Sequence, residues 1–148
     1  MNARNWVRII LCGWVTGVGW YVLSVVSLSV FNSNLLTTLQ SSSAYPRWDG
    51  SVFFLIDLLM GIWAIWFYSL VRTNRSFTAA ATVTGISWWA IKSLQSLKWF
   101  GQGFAPPVVA IVPLVTTFVA IILAVFVGAW LYDKVELRAK ISAAAEST

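Results

Sequence analysis

Four long apolar stretches run along this chain, residues 6–31, 51–71, 77–98 and 107–132, with short polar segments between them. Each is about the 20 residues that a helix needs to cross the hydrocarbon core of a bilayer. Lipid offers no partner for backbone N–H and C=O groups, so each stretch is expected to satisfy its own as a helix. The pattern predicts an all-α fold: a membrane-embedded, antiparallel four-helix bundle forming one domain over residues 1–148. Residues 32–50 read as an external loop, with Leu35, Leu36 and Leu39 at helical spacing and Tyr45 and Trp48 suited to headgroup depth. RTNRS at 72–76 is long enough only for a hairpin between helices two and three. KWFGQGFAPP at 98–107 turns the chain into helix four, where Pro113 removes one backbone bond and is expected to bend the helix. The tail, 133–148, is charged and then rich in Ala and Ser, and is expected to prolong helix four briefly before fraying.

Within each stretch, small and polar residues recur on one helical face. Helix one offers Gly13, Gly17, Trp20, Ser24 and Ser27; helix two offers Asp57, Gly61, Ala64 and Tyr68. Helix three has Thr78, Ala81, Gly85, Trp89, Lys92 and Ser96, and helix four Ala120, Ala124 and Gly128. Helices in lipid gain little from hiding apolar surface from one another, so small residues that allow close approach mark their contacts. The stripes are expected to face each other inside one bundle, although the GxxxG of helix one equally suits contact with a second protein.

Composition supports the reading. Of the residues 59% are hydrophobic and 10% charged, against about 25% charged in a soluble domain. The net charge of +5 is spread over helix ends and forms no patch for nucleic acid. With both termini inside, Arg4, Arg8, Arg72, Arg75, Lys134, Arg138 and Lys140 are cytoplasmic, and Arg47 and Lys98 external. That asymmetry predicts an N-in/C-in, multi-pass protein of the bacterial inner membrane. The first apolar run is too long for a signal peptide and no small-residue cleavage site follows it, so it is expected to be retained.

Ten tryptophans are present. Trp6, Trp48, Trp99 and Trp130 fall at span ends and are expected to be interfacial anchors. Trp14, Trp20, Trp63, Trp88 and Trp89 lie deeper. Filling the bundle is their default role; lining a pocket for an aromatic or lipid-like ligand, or facing a partner, are the alternatives.

Two charges lie well inside the spans. Asp57, in FFLIDLLMG, and Lys92 are equidistant, to within a residue, from the turn centred near residues 73–75, so a hairpin brings them to one depth. That depth is about 10 Å inside the external surface by helical rise. Counting inward on helices one and four reaches Ser24 to Ser27 and Thr116 to Thr117. One polar layer is therefore predicted: Ser24, Ser27, Asp57, Lys92, Thr116 and Thr117. A charge near the bilayer centre costs about 2.5–3.5 kcal/mol on insertion scales, so Asp57 and Lys92 are expected to form an ion pair, either as a fastener or as a proton or cation site.

The absent chemistry narrows the function. No histidine occurs, which leaves no His-ligated metal or haem and no histidine base for a Ser or Cys nucleophile. Cys12 is the single cysteine, so no internal disulfide forms. No enzyme activity, metal or cofactor is expected. The expected role is an accessory or scaffold subunit packing in or against a larger membrane complex, its partners the lipid bilayer and a membrane protein or second copy. The alternative is a small carrier for a cation or lipophilic solute working through Asp57 and Lys92.

The Gly-rich LCGWVTGVGW at 11–20, WFYSLVR at 66–72 and GAWLYDK at 128–134 carry a resemblance over most of the chain. It resembles small bacterial four-helix membrane proteins generally described as hypothetical. The resemblance implies membrane anchoring and helix packing and brings no established activity, so no functional residue carries over. The architecture is also similar to that of small multidrug transporters, which rely on an acidic residue in the first helix; helix one here has none.

Overall fold

A computed structural model describes residues 3–31, 50–101 and 107–145. They form four helices: α1 Ala3–Phe31, α2 Gly50–Arg72, α3 Phe77–Gly101 and α4 Pro107–Ala145. The expectations for Leu35, Leu36, Leu39, Tyr45 and Trp48, for the turn at 102–106 and for residues 146–148 lie outside the described residues. Local signals account for the helix starts. Pro107, whose missing N–H costs nothing in a first turn, opens α4. The Ser76 hydroxyl accepts the Ala79 N–H at 3.4 Å and its carbonyl accepts the Ala80 N–H at 2.9 Å, which caps α3.

The helix that differs most from expectation is α4. It continues to Ala145, well past the apolar run that ends near Tyr132. The stretch DKVELRAKISAAA contains no Gly or Pro and is rich in strong helix formers, so nothing in it stops the helix.

Three helices are long and apolar enough to cross a membrane, over Asn5–Ser27, Phe54–Arg72 and Leu114–Ala139. The fourth, α3, is as long but less apolar, because Thr82, Thr84, Ser87, Lys92, Ser93, Gln95 and Ser96 interrupt it.

Among neighbours α1 and α2 pack most extensively, and glycine is the reason. Gly61 lies directly on the backbone of Gly13 and Gly17, and a methyl group on Gly17 would stand 2.7 Å from the Asp57 carbonyl oxygen. Such approach maximises dispersion contact between helices. By contrast α2 and α3, although joined by the short turn, pack less extensively. Bulky side chains stand between them: Tyr68 meets Phe77 edge-on with centroids 6.4 Å apart. Further contacts run α3 to α4, where Gly85 faces Ile122, and α1 to α4, where Gly128 abuts Thr16; α2 also meets α4, though less extensively.

Two buried clusters result. One gathers Ile9, Cys12, Ile65, Tyr68, Ala80, Ala81, Ala129 and Tyr132; the other Trp20, Ala64, Trp88, Ala120, Ile121, Ala124 and Val125. The expected stripes of α2 and α4 are buried throughout. That of α3 is rotated: Ala80, Ala81, Thr84, Gly85 and Trp88 are buried, whereas Thr78 is exposed and Trp89 half-buried.

Candidate functional site

The two charges within the helices meet. Asp57 is buried on α2, and the Lys92 ammonium from α3 donates to its Oδ1 at 3.3 Å. α1 supplies an aromatic wall: the Lys92 Nζ stands 5.9 Å from the centre of the Trp20 ring, which in turn lies 5.8 Å from Trp88. A cation above an indole face gains from the ring quadrupole, and more so away from water. The Lys92 carbonyl accepts the Ser96 hydroxyl at 3.1 Å. The pair is partly accessible, 27% for the Lys92 side chain and 12% for Asp57, so it sits at the flank of the bundle.

Of the hydroxyls expected at this level, two lie on α1 and two on α4. Ser24 Oγ is buried and finds no hydrogen-bond partner among the described residues, and Ser27 is half-buried on the same helix. Thr116 and Thr117 are half-buried on α4, and the Thr117 hydroxyl donates to the carbonyl of Leu114 within its own helix at 3.5 Å. Around Asp57 and Lys92 the described contacts are the Trp20 ring and, against it, Trp88. Trp20 Nε1, Trp88 Nε1 and Ser93 Oγ are further buried donors without a partner among the described residues.

The deep tryptophans divide. Trp20 and Trp88 fill the core, and Trp89 packs edge-on against Phe118 while donating to the Leu114 carbonyl at 2.8 Å. Trp63 stacks on Phe67 of its own helix, centroids 5.4 Å apart. Trp14 does not fill the bundle: it is 53% exposed, turned away from the face of α1 that carries Ile9, Cys12, Thr16 and Trp20. Of the expected anchors, Trp6 and Trp130 are exposed, with the Lys134 ammonium 4.5 Å from the Trp130 ring. The side chain of Trp99 lies outside the described residues.

A second polar cluster is not among the sequence expectations. Asp133 of α4 accepts the Tyr68 hydroxyl at 2.9 Å and the Arg72 Nε at 3.0 Å, tying α4 to α2. Arg72 also donates through Nη1 to the Arg75 carbonyl at 2.8 Å, closing the α2 to α3 turn. A signal for it exists in the chain: Arg72 ends one apolar run and Asp133 follows another at once, and matched span ends place opposite charges at one level. Nearby, Arg8 of α1 donates to the Asn5 side-chain oxygen and lies 5.7 Å from the centre of the Tyr132 ring. Tyr68→Phe deletes one bond to a charged acceptor and leaves the Arg72 pair in place. Hydrogen bonds to charged groups contribute about 1.5–3 kcal/mol, and the partial exposure of Asp133 places the expected loss below that range, at about 1 kcal/mol. Denaturation in mixed detergent micelles measures it; no change would mean that water replaces the phenol.

The chain matches no family model, no curated protein and no solved structure.

Proposed function

We propose that the chain is an antiparallel four-helix bundle of the bacterial inner membrane, N-in/C-in, that serves as an accessory or scaffold subunit against a larger membrane complex. The antiparallel arrangement is supported by the contacts: Gly13 lies on Ile62 and Gly17 on Leu58, so numbers rise along α1 as they fall along α2. Gly85 with Ile122 and Trp89 with Phe118 behave alike on α3 and α4. A fourth span at α3 is supported by its 25 residues, about 37 Å of helix, and by Lys92 meeting Asp57 from the neighbouring helix.

One observation carries the subunit reading. Trp14 stands near the middle of the Asn5–Ser27 span and points outward, flanked by exposed Val7, Leu11, Val18 and Val22 on the same face. Mid-span depth gives an indole no headgroup to anchor to, and buried Trp is the residue richest in binding energy at protein contacts. The face is read as the seat of a larger membrane partner. On a native gel from mild-detergent membranes, the wild-type chain is expected to migrate with a large assembly, and Trp14→Ala to shift it to the free form. Migration of the wild type as a lone chain or a dimer would overturn the accessory role.

The carrier reading is favoured by a different observation: Trp20, whose ring faces Lys92, Trp88 against that ring, and Ser93, next to Lys92 in the chain, each carry a buried donor without a partner among the described residues. It is tested together with the ion pair below.

A further inference from the structure

A pocket of about 620 Å³ opens where α1 begins, α2 ends and α4 leaves its apolar run. Its polar wall includes Asn5, Ser69, Arg72, Tyr132, Asp133 and Glu136. Asn5 opens one candidate span and Arg72 closes another, while Tyr132 to Glu136 lie near the end of the third. The pocket therefore lies at headgroup depth, neither in the hydrocarbon core nor in bulk water. A ligand held at that level keeps a polar head in the pocket and an apolar body in the bilayer, which describes a phospholipid.

Charge selects the headgroup. Arg72 gives its Nε to Asp133 and Nη1 to Arg75, yet a guanidinium carries five N–H donors in all. Behind the wall stands Arg8, bonded to Asn5 and beside Tyr132; its Nε and Nη1 are buried and find no partner among the described residues. This side of the pocket favours a phosphate, for which guanidinium is the best-matched side chain. Glu136 lines the α4 side with a carboxylate. A cationic side and an anionic side in one pocket complement a zwitterion whose phosphate and primary ammonium are separated by a short linker. Leu70 and Leu137, both exposed at the rim, offer the start of a path for acyl chains.

We propose that this pocket is a headgroup site for an amine-bearing phospholipid, with phosphate toward Arg72 and ammonium toward Glu136. The full chain, purified in mild detergent and stripped of lipid, would be titrated with phosphatidylethanolamine, phosphatidylglycerol or inorganic phosphate and followed by native mass spectrometry. One phosphatidylethanolamine is expected per chain, held about tenfold more tightly than phosphatidylglycerol, the effect of one charge-assisted hydrogen bond. Glu136→Gln should erase that preference, and Arg72→Gln should weaken both lipids about tenfold. Thr73→Trp, at an exposed pocket residue, should block binding without disturbing the helices, which circular dichroism and size-exclusion elution confirm. Equal affinity for the two lipids, occupancy by inorganic phosphate alone, or unchanged binding in folded Thr73→Trp would each overturn the assignment.

Discussion

Gly61→Val is expected to be the most disruptive single substitution in the bundle. A Cβ at Gly61 would stand 2.5 Å from the Gly17 backbone nitrogen, with the Gly13 carbonyl oxygen nearer still. Both obstacles are helix backbone, so relief requires α1 and α2 to move apart along their closest contact. Overpacking costs about 1–3 kcal/mol and occasionally more, and separated helices also lose dispersion contacts, so the loss is placed at about 3 kcal/mol or above. Two glycines of equal helical character serve as controls. Gly85→Ala meets first the terminal Cδ1 of Ile122, 2.6 Å away, which can swing aside, so about 1 kcal/mol or less is expected. Gly19→Ala meets nothing within 4 Å, and gains up to about 1 kcal/mol from helix propensity. Unfolding in mixed micelles orders the three; if Gly61→Val is no worse than Gly85→Ala, the α1 to α2 contact does not form as described.

The second large effect concerns Asp57 and Lys92. Removing one partner of a buried pair leaves the other charge uncompensated, at about 3–5 kcal/mol. The partial exposure of this pair lets the remaining charge reach water or headgroups, so Asp57→Asn and Lys92→Met are each expected to cost about 2 kcal/mol. The double variant carries no charge at this depth and is expected to recover most of the loss. A double variant no better than the worse single one would show that the two residues act independently. The same three proteins decide the carrier reading. A fastener leaves solute movement untouched in every variant, whereas a transport site loses proton-coupled uptake in Asp57→Asn even when folding is intact.

The residues legible in the sequence and those hidden from it differ in a physical way. Asp57 and Lys92 can be paired by counting alone, because a short turn forces α2 and α3 to share depths and depth along a helix is measured in residues. The glycines of α1 and α2 can be named as contact residues because only small side chains allow close approach. The span ends put Arg72 and Asp133 at one level, but their pairing is not legible, because they belong to helices that are not consecutive and the diagonal contact of α2 with α4 depends on how four cylinders settle around each other. The outward position of Trp14 is hidden for the same reason: periodicity gives a helix its faces but leaves open which faces find partners.

The length of α4 has a different origin. The charge of the tail suggests an early end to the helix, whereas the backbone responds to the absence of Gly and Pro. Helix continuation is a local property, and residues that are polar in the membrane sense, such as Glu136 and Arg138, are good helix formers.

By itself the sequence determined that this protein is helical, that at least three of its helices are apolar enough to cross a bilayer, and that Asp57 and Lys92 fall opposite each other across the α2–α3 turn. Those properties follow from local composition and from the fixed rise of a helix, about 1.5 Å per residue. Only the tertiary structure decided that α1 and α2 form the tightest pair, that the Trp20 ring packs against Lys92, and that three helix ends meet around a pocket. Rotation of each helix about its axis is set jointly by all its neighbours, and no count along one segment contains it.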